Sequence, residues 1–302
     1  VETSGRARTA RRAGLIGLGA VGYLAVSLVL QLFAALALRA AVPGATLHNP
    51  AGMTQTAGLA VQLAVSAGSL AIPAALLIGL LRPGRARLGL VRPAPGGLAL
   101  WTPIALGAAM LANLLANGLG LGAGVMLELP RGGPALLLAF LQICLVPAVG
   151  EELFFRGVLQ GMLRPRGGLT AALAAAVPFA LLHSRPGQAL VALLTGLAMG
   201  LAVEATGSLA PAILAHLGNN LLAFAAAWLL QYGPSGLAGT IQLAAAAALP
   251  VWGLLALCAA FRRRRLPPKS GVKLRSLLAN PAWLAAMLAL GAVFSARCAG
   301  IL

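Results

Sequence analysis

The chain has 302 residues, 60% of them hydrophobic and 9% charged, with a formal net charge of +17. So few charges cannot clothe a water-soluble fold of this length. Three cysteines, Cys144, Cys258 and Cys298, are too few and too scattered for a disulfide framework or a Cys-rich metal site, and read as small apolar fillers.

Apolar runs of about 20 residues recur from end to end, each long enough to cross a hydrocarbon core. No water is available at that depth, so backbone groups must pair within helices or a closed barrel. The runs are continuous and rich in Ala and Leu, which selects helices. The expected fold is all-α: a polytopic transmembrane helix bundle of about eight or nine spans with a cytoplasmic N-terminus.

In chain order, a basic start leads into a span at 13–38. Its roughly 25 apolar residues are too many for a signal-peptide core. Gly17-Leu18-Gly19-Ala20-Val21-Gly22 matches a dinucleotide fingerprint, but it lies inside this span and no acidic residue occurs between Glu2 and Glu128 to meet a ribose, so the match is compositional. Further spans are expected at 57–81, 98–124, 134–163, 168–184, 188–206, 209–230 and 239–261, with a final candidate at 277–296. Pro/Gly pairs punctuate the connections, as at Pro43-Gly44, Pro83-Gly84 and Gly233-Pro234. The one sizeable polar segment, 262–276, reads as a cytoplasmic loop. No internal repeat of fixed period is visible, and no linker joins separate soluble domains. The chain divides into N-terminal helices (1–130), a core (131–232) and C-terminal helices (233–302).

With the N-terminus inside, the cytoplasmic segments hold Arg6, Arg8, Arg11 and Arg12, then Arg82, Arg85, Arg87 and Arg92. Arg164 and Arg166 follow, and then Arg262 to Arg265 with Lys269, Lys273 and Arg275. The outside receives only Arg39, Arg131, Arg185 and Arg297. This asymmetry is the positive-inside pattern. The basic segments are therefore topology signals facing an anionic inner leaflet, and nucleic acid is excluded as a partner.

The chain has five carboxylates and three histidines, so their placement is informative. Glu2 is terminal, Glu128 sits at an outer boundary, and Glu204 closes a span where a carboxylate reaches water. His48 belongs to a Pro/Gly-containing loop. Glu151, Glu152, Arg156, His183, His216 and Asn220 remain, inside or bordering spans, where polar groups are costly and mark function. Glu152 precedes Arg156 by one helical turn, the favourable order for an ion pair. Glu151 points about 100° away and is left free to face something else. His216 and Asn220 share a helix face, as do Phe179 and His183. Counting from the expected boundaries puts Glu151 and His183 about 20 Å above the inner end, with His216 and Asn220 at about 12 and 18 Å. Three helices thus bring Glu, His, His and Asn to overlapping depths. The bland alternative is hydrogen-bonded helix glue. Gly196-x-x-x-Gly200 is assigned to packing.

At these residues the sequence resembles the CPBP family, which includes type II CAAX prenyl endopeptidases and bacteriocin-processing or Abi-type membrane proteins. The motifs E-E-x-x-x-R, F-x-x-x-H and H-x-x-x-N occur here in order as Glu151-Glu152 to Arg156, Phe179 to His183, and His216 to Asn220. The resemblance covers roughly 140–230 and implies hydrolysis of a peptide bond at membrane depth. Amide hydrolysis needs a base for water and donors for the oxyanion. Glu151 is the candidate base, His183 orients that water or shares its proton, and His216 with Asn220 are the candidate oxyanion donors.

A metal alternative stays open. Glu151, His183 and His216 are an adequate three-ligand set for zinc or another divalent ion, although H-E-x-x-H is absent. A proton-coupled transporter and a non-catalytic scaffold are the competing readings. A peptide or protein substrate is expected, lipidated or not, in a multi-pass protein of a bacterial inner membrane.

Overall fold

The computed structural model describes residues 2–42, 54–93, 95–122, 128–164, 167–269, 271 and 274–300. His48, Arg166 and Lys273 lie outside the described residues. Among the described residues the chain forms ten helices and no strand. They are α1 (Glu2–Ala41), α2 (Gln55–Leu81), α3 (Gly97–Gly118), α4 (Gly133–Met162) and α5 (Gly168–Leu181). Then come α6 (Pro186–Thr206), α7 (Ala210–Tyr232), α8 (Leu237–Arg262), α9 (Leu274–Leu278) and α10 (Pro281–Cys298). Eight of these are long and apolar enough to cross a membrane; α5 and α9 are too short. Leu80, Leu243 and Leu288 are among many large apolar side chains exposed on the outside of the bundle, the surface expected to face lipid.

The ends of the helices follow local chemistry. Thr54 caps α2, its hydroxyl accepting from the amide of Ala57, and Asn280 caps α10 by accepting from Trp283. The span expected at 98–124 stops at Gly118, because the chain turns through Gly120 and Gly122 at φ of 68° and 58°. The final candidate span is a helix of 18 residues, packed along α1.

Two ends of the bundle can be told apart by hydrogen bonds between segments distant in sequence. At one end Leu209 donates its amide to Gly89, Ser208 donates its hydroxyl to Val91, and Trp101 donates its indole N–H to Arg265. At the other, Trp228 donates to Arg131, Tyr232 donates to Leu129, and Arg297 donates to Leu182. We call these the basic end and the mouth end.

Two expectations at the basic end need correction. Glu204 does not reach water: it is 8% exposed and bridges α4 and α6, accepting from Gln160 at 2.8 Å with Arg164 at 3.5 Å. Arg164 is not a surface topology signal either, being 7% exposed and donating to the Arg156 carbonyl at 2.7 Å. A charge that finds a buried partner and a free carbonyl has no need of solvent.

Candidate active site

The site is built on α4, whose regular winding is interrupted twice. Leu141–Leu145 and Glu152–Leu159 are π-helical, with wider turns that free backbone carbonyls. Pro147 has no N–H to give the carbonyl of Ile143, four residues before it. The side-chain amide of Asn220 on α7 donates there instead, at 3.1 Å. In the second stretch the amide of Gln160 bonds to Phe155, five residues back, so the Arg156 carbonyl is available to Arg164. Each interruption therefore binds a side chain and fixes how α4 stands in the bundle.

The neighbouring carboxylates have different surroundings. Glu152 is 0% exposed, and its Oε1 accepts from Arg156 Nη1 and from His216 Nδ1, both at 2.9 Å. Arg156 is equally buried, and its guanidinium lies 4.4 Å from the centre of the Phe179 ring. A Cβ at Gly196 would stand 2.6 Å from Arg156 Nη2, and one at Gly200 would stand 2.9 Å from Gln160 Oε1. The G-x-x-x-G pair on α6 thus packs as expected, and what it makes room for is the polar side chains of α4.

The Glu151 carboxylate makes no hydrogen bond among the described residues. Its Oε2 stands 3.8 Å from His216 Nε2, and its side chain keeps 22% exposure. His216 spends Nδ1–H on Glu152 and presents Nε2 toward Glu151.

His183 departs from its expected place inside a span. The helix α5 ends at Leu181, and His183 occupies the turn beyond it. Its Nδ1 lies 2.9 Å from the Phe179 carbonyl, so Nδ1–H donates and Nε2 is left for other work. A helix of 14 residues rises only about 21 Å, short of a full crossing. Exposed carbonyls at that depth must be satisfied. Arg297 on α10 donates to Leu182 and the Cys298 thiol to Ser184, which closes the turn that carries His183. Phe179 joins the cluster, its ring edge-on to His183 at 5.0 Å and 6.5 Å from the ring of His216.

Two cavities meet here. The larger, about 730 Å³, has His183, His216 and Asn220 among its lining residues, with Ala192 and Met199 as apolar wall and Glu128 at its rim. The smaller, about 280 Å³, is lined by Glu151, Tyr23, His183, Ser184 and Arg297, among others. Phe179, His183 and Gln188 border both. Tyr23 and Arg297 come from the first and last long helices, so the surroundings of the site extend beyond the central segment. Spacing gave no signal for Tyr23, Ser184, Gln188 or Arg297 as site neighbours. Only the shortness of α5, had it been read, pointed to something closing its end.

The metal alternative can be tested against this geometry. Glu151 and His216 approach each other, but among the described residues no group of three His, Cys, Asp or Glu side chains is placed to hold an ion. His183 keeps Nε2 free, its Nδ1–H being held by the Phe179 carbonyl, but it is not grouped with the other two about one point. The three side chains as arranged do not fit a single divalent ion.

Comparison with known families and structures bears on the same region. Residues 133–222 match the family model described as Type II CAAX prenyl endopeptidase Rce1-like. That segment holds all three motifs and spans less than half of the chain. No curated protein and no solved structure matches the chain.

Proposed function

We propose, from the premise that residues 133–222 are an Rce1-like segment, that this multi-pass membrane protein is an endopeptidase using Glu151 as its base. The observation that carries the reading is the unbonded Glu151 carboxylate beside His216 and His183, where two cavities join. A peptide fits the larger cavity, whose volume lies within the usual range for ligand sites.

In this reading Glu151 takes a proton from a water molecule, whose oxygen attacks the carbonyl carbon. Nε2 of His183 accepts a hydrogen bond from that water and orients it. The oxyanion receives the second N–H of the Asn220 amide, the first being spent on Ile143. A second donor to it is His216, through Nε2–H when that nitrogen carries a proton. Glu151 then passes the proton to the leaving nitrogen, the C–N bond breaks, and acid and amine are released. No serine or cysteine nucleophile is required, and the misfit of the ligand set favours a metal-free course. The substrate is a membrane-associated peptide or protein; prenylated CAAX sequences and bacteriocin or immunity peptides are the candidates.

The test is hydrolysis of a quenched-fluorescent peptide library by detergent-purified protein, with and without a chelator, beside Glu151→Gln. Cleavage that survives chelation and disappears in the variant is expected; removing a general base costs about 10²–10⁴-fold. Cleavage lost on chelation and restored by zinc contradicts the metal-free course. Equal cleavage by the variant contradicts the role of Glu151.

A further inference from the structure

Both cavities at the site lead the same way. The larger descends from Glu128, Gln231 and Gln242, all exposed at the mouth end, to Met199 and His216, which are buried. The smaller borders Ser184 and Arg297 at that same end. The opposite end is closed beneath the site: Gln160, Arg164 and Glu204 fill the space between α4 and α6 with a buried polar cluster. Gly161 there lies so close to the loop after α2 that a Cβ would stand 2.7 Å from the Arg87 carbonyl.

Charge distinguishes the two ends. At the closed end Arg82, Arg85, Arg87 and Arg92 are exposed on one loop, and Arg262 to Arg265 are exposed at the foot of α8. The start of α1 belongs to this end too, since Gly14 lies against Ala282 and Gly19 against Leu159. The mouth end has Arg39, Arg131, Arg185 and Arg297, singly on four segments, with Glu128 among them. Exposed cations concentrated in short segments beside the spans stay on the cytoplasmic side.

We infer that the site is reached from the non-cytoplasmic face, so that this protein acts on peptide segments presented at or beyond the outer surface of the membrane. The inference rests on the proteolytic reading for what happens at the site, but not for which way the cavities open. Its polar rim of Glu128, Gln231 and Gln242 suits the headgroup and water level of that face. A substrate made inside the cell must present its cleavage segment across the membrane before Glu151 can meet it.

Membrane orientation can be read without turnover. In full-length protein with Cys144, Cys258 and Cys298 replaced by alanine, Gln242→Cys marks the mouth and Arg85→Cys the closed end. Each is labelled with a membrane-impermeant maleimide in right-side-out and in inverted bacterial vesicles. Gln242→Cys is expected to label at least about tenfold faster in right-side-out vesicles, and Arg85→Cys at least about tenfold faster in inverted ones. Arg131→Cys and Arg264→Cys repeat the comparison on other segments, in case a first-pair variant fails to accumulate. Faster labelling of the mouth cysteines in inverted vesicles, or equal rates in both, overturns the inference. Cleavage in detergent has no sidedness, so failure there contradicts the proteolytic reading and leaves the labelling result standing.

Discussion

Glu151 and Glu152 are one residue apart, yet their carboxylates occupy unlike environments. Glu152 is sealed between Arg156 and His216, while Glu151 keeps an open side and no hydrogen bond among the described residues. The order Glu-x-x-x-Arg already implied which of the two would be neutralised. The second partner of Glu152, His216, lies 64 positions along the chain and could not be read from spacing. Nor could the stacking of Arg156 on Phe179, although both residues belong to motifs visible in the sequence. Because Glu152 is fully buried, Arg156→Leu leaves it without its cation. Breaking a buried pair on one side costs about 3–5 kcal/mol, so a marked fall in melting temperature in detergent is expected along with lost activity. Melting like the wild type contradicts a structural role for this pair.

Among the elements, α4 and α5 show what periodicity conveys and what it conceals. The apolar runs placed both helices to within a few residues, because a continuous run is legible in a bilayer-spanning chain. The two π-helical stretches of α4 were hidden. The carbonyl freed in the first is taken by Asn220 from α7, and that in the second by Arg164 just past the end of α4 itself, a back-bond that spacing does not announce. The early end of α5 was hidden for a similar reason: the turn after Leu181 is tolerated because α10 satisfies it. Arg297→Leu therefore exposes the Leu182 carbonyl and loosens the turn carrying His183. Leaving a buried acceptor unmatched costs about 1–3 kcal/mol, and the half-buried Leu182 carbonyl belongs at the low end of that range. We expect a lower melting temperature and a fall in kcat, with Arg297→Lys recovering part of both. Wild-type kcat and melting in Arg297→Leu contradict this role of α10.

At the scale of the whole molecule, composition alone was enough for the class, because a chain this poor in charge has one stable solvent for its surface. The division into two ends came from structure, through hydrogen bonds linking segments more than a hundred positions apart. Glu204 shows where charge counting fails. A carboxylate near a helix end was expected to be wet, and instead it ties α6 to α4 beneath the site. The architecture that results is a bundle closed at its basic end and open at the other, with the polar cluster between.

The central claim is that the two adjacent glutamates divide chemistry from structure. The most direct test measures melting and peptide cleavage side by side for Glu151→Gln and Glu152→Gln in detergent. Glu151→Gln is expected to melt as the wild type does and to cleave nothing. Glu152→Gln is expected to melt lower, because the buried Arg156 loses its counter-charge. A Glu151→Gln protein that still cleaves at the wild-type rate contradicts the claim, as does one whose only defect is a fall in stability like that of Glu152→Gln.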